Sequence, residues 1–385
     1  MNKITDTINN RLASVINADV FVPLHSPIFE GNEEKYLVDC VRSNFVSSVG
    51  EYVTKFEEAL VKYTDAKYAV VTVNGTAALH VCLILSGAVR EDEVLMPAMT
   101  FIATANAVSY IGATPHFVDV DEHTLGIDPV KLEHYLNDIC EMKEGECFNK
   151  QTGKRIKAVA PMHTFGHAVD MDALNAVAQK FNIEVVEDAA ESLGSFYKGK
   201  HTGRYSKLAA ISFNGNKIMT TGGGGAILTD DENLAKLAKH ITTTAKIPHK
   251  WEFNHDMIGF NYRMPALNAA LGLAQIEQID KFVTQKRALA KRYIEAFKDM
   301  DEVEFFEEAE FCKSNYWLNA IILKKGHEDL RDKILEKTNS SGIMTRPIWT
   351  LLNKLEMFKH CPKMNLDVSE SLEKRIINIP SSAWL

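Results

Sequence analysis

Residues 211 to 225 read ISFNGNKIMTTGGGG, and in this run one lysine, Lys217, stands between an apolar segment that reads as a buried strand and four consecutive glycines. A lysine in water has a pKa near ~10.4 and is almost wholly protonated at neutral pH, so it serves as a nucleophile only where burial or a covalent partner changes its state. The glycines mark a place where something passes close to the backbone. Taken alone, the stretch reads as a surface lysine in a strand-turn-strand hairpin. The residues around it must decide.

The 385 residues suit two domains, or one large domain with an appendage. Hydrophobic content of 46% and charged content of 24% are those of an ordinary globular protein. A formal net charge of -8 and a pI near 5.9 argue against a nucleic-acid partner, which calls for a basic surface. Any anionic ligand must then find a local positive site. The N-terminal stretch has no apolar core of signal-peptide length, and no run approaches the ~18 apolar residues of a membrane span, so a cytoplasmic protein without a membrane partner is expected. The six cysteines contain no C-x-x-C pair, which indicates neither a disulfide framework nor a zinc knuckle.

Between about residues 30 and 300, strand-like runs alternate with helix-like segments, the pattern of an α/β domain with a mostly parallel sheet. YAVVTV (68–73), EVLMPAMTF (93–101), TPHFVDVD (114–121), IKAVAPMHTFG (156–166), NIEVVEDAAESLGS (182–195) and KLAAISFNGNK (207–217) each end in polar or small residues. Open α/β sheets bind ligands at the carboxyl ends of their strands. The polar segment 134–157 reads as a surface helix followed by a turn. Residues 20–269 are expected to form a large domain and 270–385 a smaller one, with 1–19 as an N-terminal extension.

Three motifs fail on inspection. GSFYKGK (194–200) has P-loop spacing, but His201 follows where a P-loop needs Ser or Thr for magnesium, and the stretch reads as a hairpin. HTFGH places His163 and His167 at a metal-like spacing only if the segment is helical, and Gly166 speaks against that. NGT (74–76) matches a glycosylation sequon that a cytoplasmic chain never presents to the machinery.

A different set holds together. Asn74, Gly75 and Thr76 open a helix after one strand, and a helix N-terminus offers free N–H groups to a phosphate. Ser212 adds a hydroxyl, Phe101 a flat ring, and Asp188 a carboxylate after an apolar run. With Lys217 these are the parts that pyridoxal 5'-phosphate requires: a phosphate cradle, a covalent lysine and a carboxylate for the pyridinium. Singly, Asp188 reads as a capping or paired carboxylate, His163 as a satisfied core histidine and Phe101 as core.

The stretches VTVNGTAALH, PAMTFIATANAV, PMHTFGHAVDMD, VVEDAAESLGS, SFNGNKIMTTGGGG and GFNYRMPALNAALGLAQ together resemble the DegT/DnrJ/EryC1/StrS sugar aminotransferases of the fold-type-I pyridoxal-phosphate superfamily. The likeness runs from about Pro23 to Pro380 and is strongest to enzymes acting on 4-keto-6-deoxy sugars, as in legionaminic-acid-type pathways of surface polysaccharides.

The resemblance implies a large α/β domain with a smaller α+β domain. It also implies Lys217 as the covalent lysine and Asp188 on the pyridine nitrogen, with Gly75, Thr76 and Ser212 on the phosphate. Phe101 would stack on the ring and His163 would lie beside the cofactor. Glu191 stands where many members carry Gln, next to the cofactor's 3-hydroxyl. Asn261 would reach the cofactor phosphate from the neighbouring subunit of a homodimer, Arg263 would be donated across the same interface toward the substrate, and Arg346 and Trp349 would meet the sugar nucleotide. The implied reaction passes an amino group from L-glutamate to a nucleotide-linked keto sugar, with a UDP-linked, 2-acetamido sugar expected. Two rivals share the fold. A sugar dehydratase of the same family has histidine in place of the lysine, and a non-catalytic sugar-nucleotide sensor would have no need of Lys217 or Asp188.

Overall fold

The apolar run before Lys217 forms a strand over Leu208–Ser212, buried along its whole length, and the glycines lead into a second strand, Gly225–Thr229. The computed structural model describes residues 2–16 and 21–385. In chain order the first part comprises α1 (Asn2–Ile16), α2 (Glu33–Ser43), α3 (Glu51–Thr64), β1 (Tyr68–Thr72), α4 (Gly75–Leu85), β2 (Glu93–Pro97), α5 (Ala103–Tyr110), β3 (Thr114–Val118), α6 (Pro129–Ile139), β4 (Cys140–Lys143) and β5 (Glu146–Asn149). It continues through β6 (Ile156–Val159), α7 (Met171–Lys180), β7 (Glu184–Asp188), β8 (Phe196–Tyr197), β9 (Lys200–His201), β10 (Leu208–Ser212), β11 (Gly225–Thr229) and α8 (Glu232–Thr242). Then follow α9 (Ala266–Ile276), α10 (Ile279–Phe297), β12 (Val303–Phe305), β13 (Cys312–Lys313), β14 (Asn319–Leu323), α11 (Arg331–Ser340), β15 (Arg346–Pro347), α12 (Asp367–Glu373) and β16 (Ile376–Ile379).

Seven strands make the large sheet in the order β1-β11-β10-β7-β6-β2-β3. Only β11 runs against its neighbours, pairing antiparallel with both β1 and β10, because the short connection that carries Lys217 turns the chain straight back. All the other pairings in this sheet are parallel, so the ends of β7 and β10 point the same way. Helix α4 is apolar nearly all round, as a helix enclosed on every side must be: Ala78, Leu79, Val81, Cys82 and Leu83 are all buried.

A four-stranded sheet, β12-β14-β16-β15, forms the smaller unit. Ile8 and Leu12 of α1 are fully buried in one apolar cluster with Leu289 and Tyr293 of α10 and Ile334 of α11, so α1 packs on the smaller unit. The dividing line expected at residue 270 runs through α9, whose inner face meets α2 and α3 of the large unit. The line expected at residue 20, like residues 1 and 17–19, lies outside the described residues. No helix among the described residues is long and apolar enough to cross a membrane.

The structure corrects the expectation for 134–157. Helix α6 stops at Ile139, and β4 and β5 form an antiparallel hairpin in which Lys143 faces Glu146. Glu144 and Gly145 between them both have positive φ, 51° and 82°, as the tightest hairpin turns require. Exposed charges on both strands masked the alternation in the sequence. The hairpin expected at GSFYKGK is present as β8 and β9.

Candidate active site

The carboxyl ends of β7 and β10 and the start of α4 converge on a cavity of about 370 Å³, whose wall includes Gly75, Thr76, Phe101, Asp188, Ser212 and Lys217. Glu191 and Trp349 complete it on the other side. Sequence neighbours on a strand point to opposite faces, and the pair Glu187-Asp188 shows what that decides. Asp188 faces the cavity. Glu187 faces away and accepts five hydrogen bonds, from the His163 ring, the Gly203 and Tyr205 amides, and the Ser206 amide and hydroxyl.

Glycine is required at two points. A Cβ on Gly75 would sit 2.8 Å from Ser212 Cβ, so only glycine lets the start of α4 touch the end of β10. A Cβ on Gly225 would sit 2.5 Å from the carbonyl of Asn74, so β11 passes directly beneath the same helix start. Asn74 caps α4 by accepting from the Ala77 amide at 2.8 Å. That cap leaves the Gly75 and Thr76 N–H groups without a partner among the described residues, aimed at the end of the helix where anions are favoured.

Asp188 accepts from the Thr104 hydroxyl at 2.6 Å and the Ala190 amide at 3.2 Å. Burial raises its carboxyl above the ordinary range, against those two bonds and the nearby Lys217. A cation facing it from the cavity is what this carboxylate lacks. The Lys217 side chain is only 12% exposed; its Nζ lies 3.2 Å from Glu191 Oε1 and 3.9 Å from the centre of the Trp317 ring. The chain therefore does turn back as a strand-turn-strand, but the lysine is not on the surface. An anion cradle, a buried carboxylate and a half-enclosed lysine around one cavity of small-molecule size fit the phosphate, the ring nitrogen and the aldehyde of pyridoxal phosphate.

Glu191 is buried, its second oxygen accepting from the Phe165 amide at 2.9 Å. Burial pushes its carboxyl up to about 7, with Lys217 opposing. The folded protein thus holds a proton there that the unfolded chain releases near 4.5, so the stability this proton confers is present below that pH and is lost as pH rises to about 7. Glu191→Gln removes the titration. Urea unfolding of cofactor-free protein at pH 5 and pH 8 should show wild type losing about 3 kcal/mol more than the variant over that interval. Equal losses would place the proton elsewhere.

Not every expected residue reaches the cavity. The His163 backbone adjoins Asp188, but its ring is fully buried between Glu187, 3.0 Å from Nε2, and the Val169 amide, 3.2 Å from Nδ1. Its polar atoms are spent on the core, and the ring does not line the cavity. His167 turns the other way, edge-on to Phe306 and Tyr316, so the two histidines do not converge. Asn261 is exposed and accepts from Arg263 Nε at 3.0 Å, and neither lines this cavity. Arg346 is exposed on β15, bonded to Asn339 and to the Thr345 carbonyl, while Trp349 packs near Phe101 with ring centres 6.4 Å apart. Two residues went unread in the sequence, Thr104 and Trp317. Trp317 donates to the Asn216 carbonyl at 2.7 Å and forms a wall against Lys217. Its only signal was the rarity of tryptophan.

The sequence profile of the DegT/DnrJ/EryC1/StrS aminotransferase family matches residues 27–385. GDP-perosamine synthase of Escherichia coli O157:H7 is 35% identical, the alignment covering 94% of this chain and 93% of that protein. GDP-perosamine synthase of Caulobacter vibrioides is 33% identical over 94% of each. Helicobacter pylori PseC, an aminotransferase involved in the biosynthesis of pseudoaminic acid, shares the fold with a TM-score of 0.85 at 23% identity over 94% of each chain. The cavity, its lysine and the full-length match agree: the chain belongs to the DegT/DnrJ/EryC1/StrS aminotransferase family and is a pyridoxal-phosphate-dependent enzyme of fold type I.

Proposed function

We propose that this enzyme transfers the amino group of L-glutamate to the keto carbon of a nucleoside-diphosphate-linked 4-keto-6-deoxy hexose, in the cytoplasm, toward a bacterial surface polysaccharide. The observation that carries the reading is Lys217, enclosed against Glu191 and Trp317 in the cavity that Asp188 and the Gly75–Ser212 contact also shape. Bound pyridoxal phosphate supplies an electron sink. Gly75, Thr76 and Ser212 would hold its phosphate, Phe101 would cover its ring, and Asp188 would hold a proton on its pyridine nitrogen. Lys217 would be the point of covalent attachment, and its Nζ would be the group that carries the proton from the donor α-carbon. His163 supports this arrangement from the core by fixing Glu187 behind Asp188.

A sugar nucleotide suits the mouth of the cavity. Arg346 has no carboxylate partner among the described residues, bonding only to neutral oxygens. It lies three residues along the chain from Trp349, which lines the cavity, while its guanidinium rests outside on Asn339 and the Thr345 carbonyl, a cation that a ligand's diphosphate could recruit. The two GDP-perosamine synthases are named for a GDP-linked sugar, and a Pseudomonas aeruginosa relative, 35% identical over 64% of this chain, is named UDP-2-acetamido-2-deoxy-3-oxo-D-glucuronate aminotransferase. The deciding experiment is product formation from L-glutamate with GDP- and UDP-linked 4-keto-6-deoxy sugars, including the 2-acetamido form, against pyruvate. A nucleotide sugar should win, and Arg346→Ala should raise its KM at least ~10-fold with little change in kcat. Pyruvate outrunning every nucleotide sugar would sink the proposal.

We also propose a homodimer with shared sites. Trp251, Phe253 and Ile258 are 73%, 76% and 88% exposed in the segment before Asn261, a concentration of bare apolar side chains that calls for a cover. In a two-fold dimer each site would take Asn261 and Arg263 from the partner. Mixing inactive Lys217→Ala with inactive Asn261→Ala protein should then restore about a quarter of wild-type activity, the share of sites left whole after random exchange. Exchange without recovery refutes the shared site.

A further inference from the structure

We propose that Cys140 and Cys147 form a reversible dithiol–disulfide couple across the β4–β5 hairpin, a modification site separate from the active site. The two cysteines alternate onto the same face of the hairpin, since Cys140 faces Asn149 and Met142 faces Cys147 in the register. They are therefore diagonal neighbours, a spacing at which side chains usually just reach one another. Here their sulfurs lie 2.8 Å apart, and the twist of the hairpin has already brought them together.

Their surroundings differ in a way that assigns an order. Cys140 is half-buried and Cys147 buried. The hydrogen bond from Cys147 lowers the Cys140 thiol, while the same contact and burial raise the Cys147 thiol. Glu93 opposes ionisation of both, and Lys150 favours it at Cys140. Cys140 is then the attacking thiolate. With a low-molecular-weight disulfide as oxidant, its sulfur displaces one thiolate and forms a mixed disulfide. Cys147 gives its proton to solvent and attacks the Cys140 sulfur, closing the internal bond and releasing the second thiolate. Two protein thiols are oxidised, one external disulfide is reduced, and both protons finish on the released thiols at neutral pH.

The hairpin lies at the amino-terminal edge of the sheet, away from the Lys217 end. Asn149, opposite Cys140, donates to Glu93 at 3.0 Å, and Glu93 faces His116 at 2.7 Å. Closing the bond would tie the strand that carries Asn149 to this buried network without touching the cavity.

The test uses holoenzyme equilibrated with mixtures of reduced and oxidised glutathione, followed by thiol blocking and trypsin digestion. Trypsin cuts after Lys143, between the two cysteines, so only a disulfide keeps the two peptides joined. The expected result is loss of two of the six thiols at oxidising ratios, a joined Cys140–Cys147 peptide pair, and full return with excess reduced glutathione. Cys140→Ser and Cys147→Ser should each abolish the joined pair. Cys361→Ser, at a third cysteine that also feels Glu93, should leave it unchanged. Thiols unchanged at every ratio, glutathione left standing on Cys140 in wild type, or a bond to Cys361 instead would overturn the proposal. None of these outcomes depends on the sugar or the donor.

Discussion

Lys217→Ala should lower turnover by at least ~10³-fold while the protein remains folded and of normal size. The substitution takes away both the covalent attachment point and the group that moves the donor proton, and no second base stands in the same position. Glu191 is the nearest titratable side chain, but it is held by the Phe165 amide and carries its proton up to about pH 7. The fold should survive because, among the described residues, the Lys217 amine has Glu191 and the Trp317 ring as its partners, and a buried glutamate that loses its cation simply keeps its proton. Circular dichroism, turnover and borohydride trapping of pyridoxal phosphate should be measured together. Wild type retains the cofactor through borohydride and denaturation; the variant should not. Near-normal turnover in Lys217→Ala would end the assignment.

Asp188→Asn should keep the fold and bind the cofactor phosphate, yet lose about 10³-fold in turnover. A pair of opposite charges at about 4 Å in an effective dielectric of about 20 is worth about 4 kcal/mol, which is about three decades in rate if the whole term is needed in the transition state. Asp188 takes these two bonds on different oxygens, so the asparagine keeps its carbonyl on the Ala190 amide and turns its N–H toward the Thr104 hydroxyl, which can accept as well as donate, and packing changes little. A neutral amide cannot hold a proton on a pyridine nitrogen at neutral pH. The structure also closes the obvious detour: Glu187 lies on the other face of β7, with all its capacity taken by His163, Gly203, Tyr205 and Ser206. Pre-steady-state rates with L-glutamate would separate a slowed proton transfer from weakened binding. Unchanged rates would remove Asp188 from the ring nitrogen.

The sequence by itself carried the chemistry of the site and the class of the fold. Alternating strand and helix patterns gave the mostly parallel sheet, because strands covered on both faces are written as continuous apolar runs. Short motifs pointed to Gly75, Thr76, Asp188 and Ser212, each at the end of its own strand or the start of its own helix, and to Lys217 in the turn after β10, and all five line the cavity. The hairpin at 140–149 escaped because both its strands are only four residues long, β4 is mostly exposed, and β5 turns inward just Cys147 and Asn149, too few positions to show an alternation in the sequence.

Tertiary structure alone decided what met what. The order β1-β11-β10-β7 brings Gly75 onto Ser212 and Asp188 into the same cavity, and no spacing along the chain states that order. Thr104 reaches Asp188 from 84 positions away, and Trp317 covers Lys217 from the start of the small sheet. His163, three residues before a glycine turn, is rotated into Glu187 by the geometry of that turn and not toward the cavity. The reason is physical: a residue's neighbours along the chain fix which face of an element it lies on, but the side chain it meets there is supplied by whichever strand the sheet order places next to it.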